Sequence, residues 1–295
     1  MDAYTAFAKV YDRLMENIPY ELWAERIDEW IGKFGITKAK RNSSDPLESE
    51  RNLVLDLGCG TGVLTRLMYE KGYDLIGADI SSDMLDVAQN HDSDASRDAD
   101  INPDPGIMYI CQDMCELDLY STVGTVYSSC DTINYLLEDE EVEACFRGVS
   151  KFLYPGGIFI FDFNTIHKYR DVIGESTIAE NTDDVSFIWE NYFDGESNIN
   201  ECDLSLFIRR EDEGLYEKCE ETHFQRGFSL PEIRDFLKKA GLNIVKIADE
   251  REVLAGDKPT DAKGSRETEM IWDESVLREK YENSERIFVI ARKEA

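Results

Sequence analysis

A run of nine residues, Val54-Leu55-Asp56-Leu57-Gly58-Cys59-Gly60-Thr61-Gly62, constrains this chain more than any other. Its first half is a short apolar strand, and its second half places three glycines in five positions ahead of a helical pattern from Val63 to Tyr69. Glycines at a strand-to-helix junction allow a tight turn and a close backbone approach to a ligand, because a Cβ would fill that space. The spacing also discriminates among ligands. A dinucleotide fingerprint, G-x-G-x-x-G counted from Gly58, requires a third glycine at position 63, which is Val63. The chain has G-x-G-x-G instead, with Asp56 two residues ahead of the first glycine. An acid there repels a pyrophosphate and suits a ligand that carries an ammonium and a sulfonium.

Around this run, strand and helix patterns alternate. Leu53 to Leu57, Leu75 to Ile80, Met108 to Cys111, Thr125 to Ser129 and Ile158 to Phe163 read as strands, with helices over Asp83 to Gln89 and Glu138 to Phe152. Such alternation predicts an α/β fold with a parallel sheet covered by helices on both faces. Period-two runs follow at Val185 to Phe193, Cys202 to Arg209 and Leu215 to Arg226, split by Asp194-Gly195 and Glu213-Gly214, which predicts an inserted antiparallel layer. A helix from Pro231 to Ala240 and strands at Leu242 to Ala248 and Arg286 to Ala291 complete the pattern. Before it, apolar spacings over residues 3 to 34 predict N-terminal amphipathic helices, joined to the rest by a polar linker from Thr37 to Arg51. The expected units are thus a helical cap at 1–36, a ligand-binding domain at 52–165 and 227–295, and an inserted β lid at 183–226. The acidic loop 92–105 and the charged segment 249–285, with one helix near Glu274 to Tyr281, are expected to loop out.

Composition bounds the partners. Of 295 residues, 62 are Asp or Glu and 32 Lys or Arg, a net charge of −30 that repels nucleic acid and anionic membranes. Seven cysteines, an odd number, and a start without a basic or apolar leader imply a reduced, cytoplasmic protein. Cys111 and Cys115 have C-x3-C spacing, and His91, His167 and His223 are scattered, so no metal site is expected. No stretch reaches the ~20 apolar residues of a membrane span.

The nine-residue run resembles the first motif of the class I S-adenosylmethionine (SAM) dependent methyltransferases, and further landmarks follow in that family's order over residues 52–163 and 228–291. The resemblance implies a Rossmann-like seven-stranded sheet with SAM as cofactor. It places Gly58, Cys59 and Gly60 against the ligand, with Asp56 near its charged end. Asp79, 79 − 56 = 23 residues after Asp56, stands where the family's carboxylate takes both ribose hydroxyls. Ile80 and Met84 stand where adenine is flanked, and Asp113-Met114 where its amino group is met. Ser129 closes the crevice, and Tyr154-Pro155-Gly156-Gly157 is the family's helix-to-strand turn.

A narrower resemblance, carried by Tyr4 to Phe7, Val10-Tyr11-Asp12, Ser129 to Tyr135, Phe161 to Thr165 and Thr222 to Arg226, is to small-molecule methyltransferases related to glycine N-methyltransferase. These carry an N-terminal helical cap and a three-stranded inserted lid. It implies a small-molecule acceptor, with Tyr11, Tyr20 and Trp23 of the cap contacting SAM; helix packing is their alternative role. Methyl transfer is an in-line displacement at a carbon already activated by sulfur, so alignment and exclusion of water can supply most of the acceleration. Asp131, Asn134 and Tyr135 are candidates to orient the acceptor; loop capping is their alternative role. His223 suits removing a proton and Arg226 suits clamping a carboxylate, but parity puts them on opposite faces of a strand unless it ends or bulges between them, and a structural or solvated pair is their alternative role. The aromatics Phe187, Trp189, Tyr192 and Phe193 are expected in the core of the lid. A methyltransferase acting on RNA or protein, a catalytically silent SAM-binding protein and, against Val63, a nicotinamide enzyme remain the alternatives.

Overall fold

The computed structural model describes residues 7–41, 44–97, 106–210, 214–256 and 272–294. Tyr4, residues 98–105 of the expected acidic loop, and 257–271 of the charged segment lie outside them. In chain order the elements are α1 (Tyr11–Leu14), α2 (Tyr20–Phe34), α3 (Pro46–Asn52), β1 (Leu53–Leu57), α4 (Val63–Glu70), β2 (Asp74–Asp79), α5 (Ser82–Arg97), β3 (Met108–Cys111), β4 (Val123–Ser128), α6 (Asp139–Phe152) and β5 (Leu153–Asn164). They continue with β6 (Thr177–Asn181), β7 (Val185–Asp194), β8 (Ile199–Arg209), β9 (Tyr216–Arg226), α7 (Leu230–Lys239), β10 (Leu242–Asp249), α8 (Glu250–Ala255), α9 (Glu274–Tyr281) and β11 (Arg286–Lys293).

Seven strands form one sheet in the order β10-β11-β5-β4-β1-β2-β3, as the motif resemblance implies, with β11 antiparallel to both neighbours. β1 lies between β2 and β4, parallel to both and buried at every position. Parity along the strands divides the core. Leu55, Phe159 and Phe161 face α6 and α7, while Val54, Ile158, Ile160 and Phe288 face α2 and α4. The α2 side chains Trp23, Ile27, Trp30 and Ile31 are buried on that second face. Each such large side chain is worth about 2 kcal/mol, so α2 is a structural layer of the sheet as well as a cap.

The inserted layer has four strands in the order β6-β7-β8-β9, where three were expected. The additional strand, β6, is exposed at all five positions, so it carries no alternating apolar signal. The linker expected at 37–51 contains α3, whose first helical residue is Pro46 and whose Asp45 caps it by accepting from Leu47 N–H at 3.0 Å. Asp-Pro thus starts a helix rather than breaking the chain. α5 runs to Arg97, into the expected acidic loop, and α8 adds a second helix to the charged segment. Tyr154-Pro155-Gly156-Gly157 is an irregularity within β5, between the Val123 and Thr125 pairings to β4, rather than a separate turn.

Arg286 opens β11 and is buried. It is ion-paired to Asp162 of β5 and, at 2.7 Å, to Asp131 in the loop after β4, with Glu250 at 3.6 Å. Its guanidinium also lies over the Trp23 ring, 5.4 Å from the centroid. Removing one member of a buried pair leaves an uncompensated charge, at a cost of about 3–5 kcal/mol. Arg286→Met is therefore expected to lower the melting temperature by roughly 10 °C, measured by circular dichroism, and Arg286→Lys by less.

Candidate active site

A cavity of about 570 Å³ lies at the carboxyl ends of β1, β2 and β4, where the strand order reverses. Gly58 and Gly60, with positive φ of 78° and 54°, line its floor, and Gly62 (75°) carries the turn into α4. At Gly58 a Cβ would stand 2.2 Å from the Thr132 methyl group, whereas the same atom on Gly60 would meet nothing within 4 Å. Gly58 therefore lets the crevice loop close onto the turn, and Gly60 leaves open space above it. The N–H groups of Gly58 and Cys59 donate to the Ala78 carbonyl at 2.7 and 3.0 Å, tying the turn to β2.

Asp79 ends β2 and is held by backbone donors on both oxygens. Gly60 N–H donates to Oδ2 at 2.8 Å and Ser81 N–H to Oδ1 at 2.9 Å. Burial raises its carboxyl above the usual range, and these backbone bonds lower it. Asp56 is almost fully buried and accepts from Thr65 Oγ1 at 2.6 Å. Burial pushes its carboxyl up to about 7, with hydrogen bonds from Thr65 and Tyr127 pulling the other way. Ile80 is 64% exposed at the mouth, while Met84 is buried against the lid and the N-terminal segment.

Asp56, Gly58, Cys59, Gly60, Asp79, Ile80, Met84, Asp113, Met114 and Ser129 all line this one cavity, together with Tyr11 and Tyr20 of the N-terminal helices. Asp113 also caps a short 3-10 turn, Oδ1 accepting from Cys115 N–H at 2.8 Å. Trp23 does not line the cavity; it packs edge-on against Phe288 in the core. The narrower resemblance implied a SAM contact for Trp23 beside Tyr20, but Trp23 points into the core between α2 and the sheet.

The acceptor candidates separate. Tyr135 lines the cavity. Asp131 does not: Oδ1 takes Arg286, Oδ2 accepts from Gln225 Nε2 at 2.6 Å, and its N–H donates to Asp162. Cys130 and Asp131 hold φ of 60° and 53°, a left-handed kink at the cavity wall that this network maintains. Asn134 is fully buried and structural, its amide donating to the carbonyls of Asn164 and Arg226 and accepting from Asn164 N–H. Arg226 ends β9, bonded to Asp139, Glu232 and the Leu137 carbonyl, so it pins α6 and α7 to the lid rather than facing the cavity. His223 is buried one step behind Tyr135, whose hydroxyl lies 3.3 Å from Nδ1. Among the lid aromatics, Phe187 and Trp189 pack with the core while Tyr192 is half exposed.

Several residues went unnoticed in the sequence. Cys130 and Thr132 line the cavity, Thr61 does so while bonding Asp12 of α1, and Glu221 stands beside His223. Glu221 was legible from parity, two residues ahead of His223 on the same face of β9. The thiols of Cys59 and Cys130 are pushed up by burial, so the cavity presents S–H groups rather than thiolate nucleophiles. All seven cysteines are free.

The chain is similar to known proteins. Residues 54–157 match the family described as "Methyltransferase domain". The putative methyltransferase YqeM of Bacillus subtilis (strain 168) is 31% identical over 245 residues, 83% of this chain and 88% of that protein. A putative methyltransferase of Geobacillus sp. (strain WCH70) is 30% identical over 244 residues, 83% of this chain and 90% of the relative. The chain belongs to the methyltransferase family. Its fold is that of an S-adenosylmethionine-dependent methyltransferase from Clostridium acetobutylicum ATCC 824, with a TM-score of 0.73 over the whole of both chains at 24% identity. No helix among the described residues of this methyltransferase is long and apolar enough to cross a membrane.

The raised Asp56 carboxyl has a measurable consequence for the ligand-free protein. A carboxyl whose folded value, about 7, exceeds its unfolded value, 3.8, adds stability that is complete below about pH 4 and lost as the pH rises toward 7. Asp56→Asn removes the buried charge. It should raise the melting temperature at pH 8 by at least about 3 °C, for ~1 kcal/mol or more, and leave it unchanged at pH 4.

Proposed function

We propose that this methyltransferase uses SAM to methylate a small-molecule acceptor in the cytoplasm. The observation that carries this reading is the pairing of an open glycine turn with a fixed carboxylate, the Gly60 N–H donating to Asp79 while open space lies above the glycine. The residues fit the cofactor. Asp79 offers a carboxylate to paired hydroxyls, Ile80 an exposed apolar face to a purine, and Asp56 a buried acid to a cationic ligand. Bound there, SAM supplies a methyl group on a positively charged sulfur. The protein supplies position and exclusion of water: Tyr11 and Tyr20 close the cavity from the N-terminal side, and the lid packs on that segment through Phe7, Val10, Met84 and Leu206.

A small acceptor is favoured over RNA by charge. The cavity is lined by Asp56, Asp79, Asp83, Asp113 and Glu141 with no Lys or Arg among the described lining residues, on a chain of net charge −30. Radiolabelled methyl-SAM incubated with the protein and a fractionated cell extract provides the test. Label is expected in the fraction below ~1 kDa, and label recovered in RNA or protein instead would overturn the small-molecule reading.

A further inference from the structure

We propose that Tyr135, His223 and Glu221 form a proton relay that deprotonates an amine acceptor in the methyl-transfer site. The inference rests on the methyltransferase reading above and extends it to the chemistry of the acceptor. Tyr135 lines the cofactor cavity, and its hydroxyl lies 3.3 Å from His223 Nδ1. On the far side of the ring, His223 Nε2 faces Glu221 Oε2 at 3.5 Å, and both side chains are almost fully buried. Glu221 Oε1 accepts from the Phe7 backbone N–H at 3.1 Å, and the Phe7 ring packs edge-on against the imidazole, so the N-terminal segment fixes both members. Opposite His223 across the lid stands Cys202, a neutral thiol held up by burial.

The order of these groups sets their roles. A carboxylate facing Nε2 favours the tautomer that carries the proton there, which leaves the Nδ1 lone pair toward the Tyr135 hydroxyl. Tyr135 can then take a proton from the acceptor while passing its own to Nδ1, and the imidazolium that results lies against Glu221. The cavity has no cation to hold an anionic acceptor: Arg226 and Arg286 are both engaged elsewhere with carboxylates, and no Lys or Arg lines it among the described residues. An ammonium is compatible with that acidic wall, and it must lose a proton before it can attack. The balance is complete. The ammonium proton passes to Tyr135 and the tyrosine proton to His223; the freed nitrogen lone pair forms the C–N bond as the methyl–sulfur bond breaks. The bonding pair stays on sulfur as a neutral thioether. Tyr135 is the group that meets the acceptor, and His223 and Glu221 act through it.

The tautomer can be read without any acceptor. In protein labelled with 15N-histidine, only three histidines contribute, and the His223 signal is identified by its loss in His223→Gln. The expected spectrum shows neutral His223 protonated at Nε2, with an Nδ1 shift that changes in Tyr135→Phe; a proton resident on Nδ1 would overturn the relay. Turnover is then followed by S-adenosylhomocysteine release with a panel of primary and secondary amines, alcohols, thiols and carboxylic acids. Tyr135→Phe and His223→Gln are expected to lower kcat on amines by about 100-fold or more, with KM and the affinity for S-adenosylhomocysteine within about threefold of wild type. Glu221→Gln should lower kcat by about tenfold. Unchanged kcat in the first two variants, loss of cofactor-product binding in parallel with activity, or methylation confined to non-amine acceptors would each overturn the proposal. Failure of the wild-type protein to bind S-adenosylhomocysteine would instead strike the cofactor reading on which it rests.

Discussion

The site depends on the position of β1. Buried along its whole length between β2 and β4, this strand delivers its last residue to the point where the sheet's connections diverge, and a crevice opens above that point. The chain must leave β1 through a turn narrow enough for the β4 loop to reach it. Gly58 meets that demand, because a methyl group there would collide with Thr132. The same turn donates to the Ala78 carbonyl and the Asp79 carboxylate, so β1 and β2 present their ends in a fixed relation. The cavity is therefore a by-product of how three parallel strands terminate.

A second frame supports the opposite wall. Arg286, from the last strand, pairs with Asp162 and Asp131, and Asp131 in turn receives Gln225 from β9. These contacts hold the left-handed kink at Cys130 and Asp131 and bring the end of β9 against the crevice loop. Asp131 is engaged by Arg286 and Gln225, whereas Tyr135 of the same loop lines the cavity. Buried charge in this protein thus serves geometry more than net stability.

The sheet was legible because its strands are short, apolar and separated by strong punctuation, and the floor of the cavity because Gly58, Gly60, Asp56 and Asp79 lie at two consecutive strand ends. Elements that lack an apolar period were not legible: β6 is exposed on every residue, and α3 begins at a proline that reads as a break. The acceptor side was harder for a different reason. Asp131, Asn134 and Arg226 are residue types that catalyse and types that cap and pair, and only the fold shows that their polar atoms meet partners within the protein. Trp23 shows the same limit for apolar residues, since its neighbours Tyr11 and Tyr20 reach the cavity while it reaches the core. Glu221 was within reach of parity, yet its significance comes from Phe7, more than two hundred residues away in the chain.

The central claim is that the crevice beside β1 is a SAM site anchored by Asp79. Calorimetric titration of the purified protein with S-adenosylhomocysteine, repeated on Asp79→Ala, tests it directly, because the demethylated product occupies the cofactor site without turning over. The account predicts micromolar binding, about −8 kcal/mol, that is lost in the variant. A folded wild-type protein that does not bind, or a variant that binds equally well, would contradict it.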